Sequence, residues 1–265
     1  MSKVKRFFKK NSHNNLFKEL AGFGRALNRL YENRNYDLYS NGEFTVLNKI
    51  ARLNPKVVID GGANIGGYSL LINKLMPTTK VYAFEPVKST FAKLKENVSP
   101  YPTIIPIEKG FYKETCTKEI NIFSSDTHSS IYDYQGHSNE SNPKQTIELV
   151  SGDDFMKKTN IPEIDFLKID VEGAEYDALL GFEKHIDQGK IKAIQFEYGY
   201  INITTKQLLI DFHAFFESKG YVLGKIFPKT VEFRKYKLKH EDFIGPNFIA
   251  VKSTEIALIE LLKRK

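Results

Sequence analysis

The sequence predicts an α/β fold built on a mostly parallel sheet with helices on both faces. From residue 56 onward, short β-branched runs alternate with amphipathic stretches, the pattern of strands linked by crossover helices. After Gly220 that alternation stops. Tyr221–Phe227 and Asn247–Lys252 are strand-like runs with no convincing helix between them, and such a pair closes a sheet as an antiparallel hairpin without a crossover.

Along the chain, residues 1–55 read as a helical N-terminal extension with a helix start at Asn41-Gly42-Glu43, and residues 56–265 as the main domain. The predicted strands are Val57–Asp60, Lys80–Phe84, Thr103–Ile107, Ile164–Ile169 and Ile191–Glu197, each short and rich in branched or aromatic residues. Helices are predicted near Ile65–Leu75, Ser89–Val98, Gly173–Ile186 and Thr205–Lys219. Residues 111–150 interrupt the alternation with polar, Ser-rich sequence around Ser124–Ser141 and two short strand candidates, Glu119–Phe123 and Gln145–Val150. Such an excursion is placed to cover a site.

A chain of 265 residues with 41% hydrophobic and 27% charged residues is long enough and apolar enough for one sizeable core. Cys116 is the single cysteine, which excludes an internal disulfide and a cysteine-rich zinc site. No apolar run has the length of a signal peptide core or a membrane span, so a cytoplasmic protein is expected. The net charge of +7 is clustered in Lys3, Lys5, Arg6, Lys9 and Lys10, and again between Lys225 and Lys239. The first cluster reads as a solvated tail, and nucleic acid is not an expected partner.

Val57-Val58-Ile59-Asp60-Gly61-Gly62-Ala63-Asn64-Ile65-Gly66 is a buried strand, an acid at its carboxyl end, then glycines opening a helix. In open α/β sheets ligands lie beyond the carboxyl ends of strands, and glycine lets backbone approach them. A dinucleotide site would show G-x-G-x-x-G, which is absent here. Glu85, in Phe84-Glu85-Pro86, stands 25 positions after Asp60 at the end of the second strand, where a carboxylate can take ribose hydroxyls. Asp60 would repel a pyrophosphate but suits a cofactor bearing an ammonium and a sulfonium, which describes S-adenosylmethionine.

The combination D-G-G-A-N-I-G, F-E-P, F-L-K-I-D-V-E-G-A-E and I-Q-F-E, running from about Val57 to Glu197, resembles the FkbM family of S-adenosylmethionine-dependent methyltransferases. The resemblance implies the class I methyltransferase, Rossmann-like fold with a seven-stranded sheet, and the hairpin after Gly220 agrees with it. It also implies cofactor contacts by Asp60, Gly62, Asn64 and Gly66 in the turn and by Glu85 at the ribose, and Gly61 of the same turn joins them as a cofactor-binding candidate. Asp153 completes that candidate set, although Gly152 stands before it where the family usually has leucine.

Phe166-Leu167-Lys168-Ile169-Asp170-Val171-Glu172-Gly173 ends a buried strand in charge. Alternation puts Lys168, Asp170 and Glu172 on one side, and Glu197 ends the next strand, so the four are the candidate catalytic residues. Methyl transfer to a hydroxyl needs a base to take its proton or a metal to lower its pKa. A divalent ion between Asp170 and Glu197 is chemically reasonable but ranks below direct acid–base work, because no third ligand is evident. His128, in the polar excursion, is the best histidine candidate for a base, behind the reading of a plain surface-loop histidine, and Glu43 could close over the site from the leading segment, behind its reading as a helix start. The resemblance implies a sugar, glycan or natural-product acceptor. Lysines among Phe227, Phe233 and Tyr236 would suit an anionic one, or simply decorate a hairpin. A nicotinamide-dependent dehydrogenase accounts only for the fold and Glu85. A non-catalytic RNA- or membrane-binding protein accounts only for the basic clusters.

Overall fold

A computed structural model describes residues 2–122, 129–132 and 143–265. Helices α1 (Lys3–Lys10), α2 (Asn15–Tyr31) and α3 (Glu43–Ala51) lead into β1 (Val57–Gly61), α4 (Gly67–Leu75), β2 (Lys80–Phe84), α5 (Lys88–Val98) and β3 (Ile104–Ile107). The excursion contributes β4 (Gly110–Phe111), β5 (Cys116–Ile122), β6 (Ser129–Ser130) and β7 (Lys144–Val150). Then come α6 (Gly152–Thr159), β8 (Ile164–Ile169), α7 (Glu175–Gly181), α8 (Glu183–Asp187), β9 (Ile191–Glu197), α9 (Ile201–Thr205) and α10 (Leu209–Ser218). The chain closes with β10 (Tyr221–Phe227), β11 (Thr230–Phe233), β12 (Asn247–Lys252) and α11 (Ile256–Lys263).

Among the described residues the main sheet has eight strands in the order β11-β10-β12-β9-β8-β1-β2-β3, parallel from β9 to β3, with β12 reversed between β9 and β10. Strand order reverses between β1 and β8, and that switch point is where ligands sit in such sheets. Neighbouring residues divide the core between the faces. Ile59, Leu167 and Ile194 pack on one face with residues of α6, α7 and α10, while Val58, Phe166 and Ala193 pack on the other with residues of α3, α4 and α11.

Three expectations need correction. The sheet has eight strands, not seven, because the turn at Pro228-Lys229 folds Thr230–Phe233 back on β10 and buries Val231. The helix expected over Gly173–Ile186 is two helices meeting at Gly181-Phe182, where a Cβ on Gly181 would stand 2.1 Å from the Tyr112 carbonyl oxygen. The helix expected from Thr205 begins at Leu209, because Lys206 adopts left-handed backbone and ends α9. Both strand candidates of the excursion form, as β5 and β7, and they lie in a separate sheet, β4-β7-β5-β6. No helix among the described residues is long and apolar enough to cross a membrane.

Candidate active site

The β1–α4 turn is fixed by its neighbours. Gly62 and Ala63 N–H donate to the Phe84 carbonyl at 3.0 and 2.8 Å, and Asp170 N–H donates to the Gly61 carbonyl at 2.9 Å. Gly62 has φ +82°, and a Cβ there would lie 1.8 Å from the Asp170 carbonyl oxygen, so only glycine lets β8 run this close. Asn64 also adopts left-handed backbone, a conformation that costs a non-glycine residue about 1 kcal/mol or more. Glu85 holds the turn from the β2 side, accepting Asn64 N–H at 3.1 Å and Val87 N–H at 2.9 Å. Burial pushes its carboxyl up to about 7 against those two bonds.

A cleft of about 360 Å³ opens over this turn. Residues 62–65 and 85–87 form its floor and side, Ile120, Ile147 and Leu149 of the small sheet roof it, and Lys168, Asp170 and Glu172 close its far end. The volume and mixed lining fit a small-molecule cofactor.

At the far end, Lys168 is buried with its Nζ 2.8 Å from Asp170 and 4.0 Å from Asp60, and 4.8 Å above the Tyr68 ring. Burial works against the ammonium, yet Asp170, Asp60 and Glu43 outweigh it and hold its pKa above the ordinary lysine value. Asp60 is fully buried and accepts from the Ser69 hydroxyl at 2.6 Å through Oδ2, while its Oδ1 has no hydrogen-bond partner among the described residues. Burial raises the Asp60 pKa despite Lys168.

Behind Lys168 a buried polar chain leads to the N-terminal segment. The Tyr68 hydroxyl donates to Gln195 at 3.3 Å, Gln195 donates to Glu43 at 2.6 Å, and Asn41 donates to Glu43 at 2.7 Å. Glu43 thus both opens α3, its N–H capped by the Asn41 side chain, and sends its carboxylate toward the site. Burial raises its pKa against the pull of Lys168.

Glu197 shares a hydrogen bond with Asp170, and burial followed by the charges of Asp170, Glu172 and Glu175 drives its pKa well above the carboxylate range. Glu172 adopts left-handed backbone at φ +53°, and its carbonyl accepts from the Ser130 hydroxyl at 2.6 Å, which ties the small sheet to the end of β8. Glu175 is fully buried. Its Oε1 accepts Val171 and Gly173 N–H at 3.0 and 3.1 Å, its Oε2 has no hydrogen-bond partner among the described residues, and burial lifts its pKa to about 7.

The structure therefore brings Gly62, Asn64, Glu85, Lys168, Asp170 and Glu172 to one cleft, with Glu197 against Asp170. Others lie elsewhere. Asp60 stands behind the turn rather than on the cleft wall, and Gly61 and Gly66 pack against Phe111 and Leu94. Asp153 is away from the cleft, because its carboxylate accepts Lys184 and His185 N–H at 3.2 Å each and contacts the His185 ring at 2.5 Å. Lys225 is not a free cation: it is buried in β10, donating to Glu32 at 2.9 Å and the Ile244 carbonyl at 2.7 Å. Strands β10 and β11 form the sheet edge beyond β9 and β12, so the Lys225–Lys239 segment does not line the cleft. His128 and most of Ser124–Ser141 lie outside the described residues. Among the described residues no group of three or more histidine, cysteine, aspartate and glutamate side chains is arranged to hold a metal ion.

Sequence reasoning missed Tyr68, Gln195 and Glu175. Gln195 carried a signal, a polar residue inside the apolar run Ala193-Ile194-Gln195-Phe196, whereas the apolar roof lies in the two strand candidates of the excursion expected to cover a site.

A family model described as "Methyltransferase FkbM domain" matches residues 60–223. Hexuronic acid methyltransferase AglP of Haloferax volcanii is 28% identical over 54% of this chain and 56% of its own length. Methyltransferase 1 of Beauveria bassiana is 25% identical over 48% of this chain and 58% of its own length. The chain thus spans little more than half the length of each of these relatives. Among solved structures, methyltransferase FkbM from Methylobacillus flagellatus KT aligns with a TM-score of 0.49 at 17% identity, covering 74% of this chain and 44% of that one.

Proposed function

Since the chain belongs to the FkbM methyltransferase family, we propose that it is an S-adenosylmethionine-dependent O-methyltransferase acting on a hydroxyl of a sugar, glycan or natural-product acceptor. One observation carries this reading: the cleft over the β1 turn runs from Glu85 to the Lys168–Asp170 pair, a cofactor-sized space ending in acid–base chemistry.

The residues fit the cofactor. Apolar Val87, Ile120, Ile147 and Leu149 suit a planar base, Glu85 suits a ribose diol, and the Cβ-free floor at Gly62 admits a ligand against backbone. S-adenosylmethionine, when bound, supplies a methyl group activated by sulfonium. The chain's own residues do the rest. Lys168 fixes Asp170 at 2.8 Å, and Asp170 with Glu197 takes the proton of the acceptor hydroxyl. Burial, then the charges of Asp170, Glu172 and Glu175, raise the Glu197 carboxyl, so it takes up a proton more readily than a free carboxylate. Glu172, held at the cleft wall by its strained backbone, hydrogen-bonds the acceptor. Residues 56–265 are the methyltransferase domain and residues 1–55 its extension.

AglP is named for methylating a hexuronic acid, an anionic sugar, and this favours a carbohydrate acceptor here. The test is calorimetry with S-adenosylmethionine and NAD, followed by transfer of labelled methyl from the cofactor to fractionated extract. Binding of NAD alone, or of neither, overturns the assignment. Loss of activity in EDTA with recovery in Mg²⁺ overturns metal-free proton transfer.

A further inference from the structure

Helices α1 and α2 bury none of their residues. In α2, at the helical repeat of 100° per residue, Leu16, Leu20, Phe23, Leu27, Leu30 and Tyr31 fall within an arc of about 100°. Lys18, Arg25 and Arg29 lie on the opposite side. α1 repeats the design: Val4, Phe7 and Phe8 form one face, and Lys5, Arg6, Lys9 and Lys10 the other. The apolar faces are uncovered, with Phe7 at 64%, Phe23 at 65% and Leu30 at 77% exposure.

The charge is as lopsided as the apolar surface. Residues 1–31 hold eight Lys and Arg against Glu19 alone, a balance of +7, which is the formal net charge of the whole chain. The remaining residues carry 31 basic and 31 acidic side chains.

We propose that α1 and α2 bind an anionic lipid bilayer, lying in its surface with the Phe7–Phe8 and Leu16–Tyr31 faces in the acyl boundary and the lysines and arginines among the headgroups. Neither helix is long and apolar enough to cross a membrane, and cationic amphipathic helices with aromatic and leucine faces bind such surfaces. A second copy would bring +7 against +7, and RNA would neutralise the basic faces but leave both apolar faces in water. The module is anchored to the domain at its root. Glu32 accepts from Lys225 at 2.9 Å, and Asn33 donates to the Ile226 carbonyl at 3.0 Å and the Asn41 carbonyl at 2.7 Å.

Flotation of the full chain with phosphatidylglycerol-containing vesicles, and with pure phosphatidylcholine vesicles, tests this directly. The chain should float with the first at low salt and much less with the second. Phe7→Ser, Phe8→Ser, Leu20→Ser and Phe23→Ser together should abolish flotation without moving the melting temperature, since none of these side chains is buried. Lys5→Gln, Arg6→Gln, Lys9→Gln and Lys10→Gln together should weaken partitioning into the anionic vesicles on the order of a hundredfold or more. The chain has no tryptophan, so Phe23→Trp gives an isolated emission band that should shift to the blue on the anionic vesicles. No flotation and no blue shift overturns the proposal. So does flotation that survives the serine variant but is competed by RNA, or sedimentation as a dimer that only the serine substitutions dissociate while the vesicles leave the chain unbound.

Discussion

The two strand ends that meet at the cleft are built on different principles. The end of β1 works through backbone: Gly62 makes room for β8, Asn64 and Gly66 turn in left-handed geometry, and the carboxylate of Glu85 ties down the loop. The end of β8 works through charge: Lys168 sits among Asp60, Asp170 and Glu43, with Tyr68 and Gln195 linking them. A backbone site depends on which residues have no side chain. A charge site depends on which side chains are present, and on how many elements deliver them. Substitutions should therefore damage the β1 end by adding atoms and the β8 end by removing them.

Gly62→Ala should cost the most. At 1.8 Å from the Asp170 carbonyl oxygen its methyl forces β1 and β8 apart, and φ +82° adds strain. A loss of about 3 kcal/mol or more is expected in urea unfolding. Gly67→Ala is the internal control, since nothing lies within 4 Å of its Cβ. It should be neutral or stabilising by up to about 1 kcal/mol, as helix propensity predicts. Equal losses at the two glycines would remove the close-approach explanation.

At the β8 end, Lys168→Met deletes the one cation that faces Asp60 among the described residues and leaves a fully buried carboxylate whose Oδ1 already lacks a hydrogen-bond partner there. The expected loss is on the order of 3 kcal/mol near neutral pH, shrinking in acid as Asp60 protonates. Unchanged stability would mean that the strand end tolerates its charges singly.

The difference explains what could be read from the chain. Gly62, Asn64 and Glu85 are close in sequence and their demands are local, so spacing alone places them at the cleft. Gln195 reaches Glu43 across 152 positions and Tyr68 reaches Gln195 across 127, and no spacing rule links such partners before the sheet assembles. Asp153 went astray for a related reason: an acid near a helix start serves either a ligand or a neighbouring helix, and here α8 takes it. β11 was hidden because Thr230–Phe233 is short and sits among lysines that read as a solvated connection.

Function separates the two ends as well. Glu85→Ala should weaken S-adenosylmethionine binding by about 1.5–3 kcal/mol in calorimetry, the worth of hydrogen bonds to a charged group. Asp170→Asn should leave that affinity nearly intact and slow methyl transfer by about 10²-fold. If instead Asp170→Asn abolishes binding and Glu85→Ala spares it, the division between a cofactor end and a chemical end is reversed.

The smallest effect is the most diagnostic of the β8 end, because it isolates charge from shape. Glu175 touches Val171 and Gly173 N–H through Oε1, so glutamine can keep both bonds and put its amide where Oε2 now has no partner. In the native state burial lifts the Glu175 pKa to about 7 from an ordinary value of 4.5. The folded protein therefore binds a proton more tightly than the unfolded chain, and stability falls as pH rises from about 4.5 to about 7. Glu175→Gln has no such proton to lose. Its melting temperature should match the parent near pH 4.5, rise above it through that window, and keep a lead of a few degrees at pH 8. Glu85, raised to the same region, contributes equally to both proteins and cancels in the difference. Glu197, whose carboxyl Glu175 helps to raise, becomes easier to ionise in the variant and adds to the lead in the same direction. A constant difference between parent and variant from pH 4.5 to pH 8 would show that Glu175 is held by packing alone and that the end of β8 is not governed by charge.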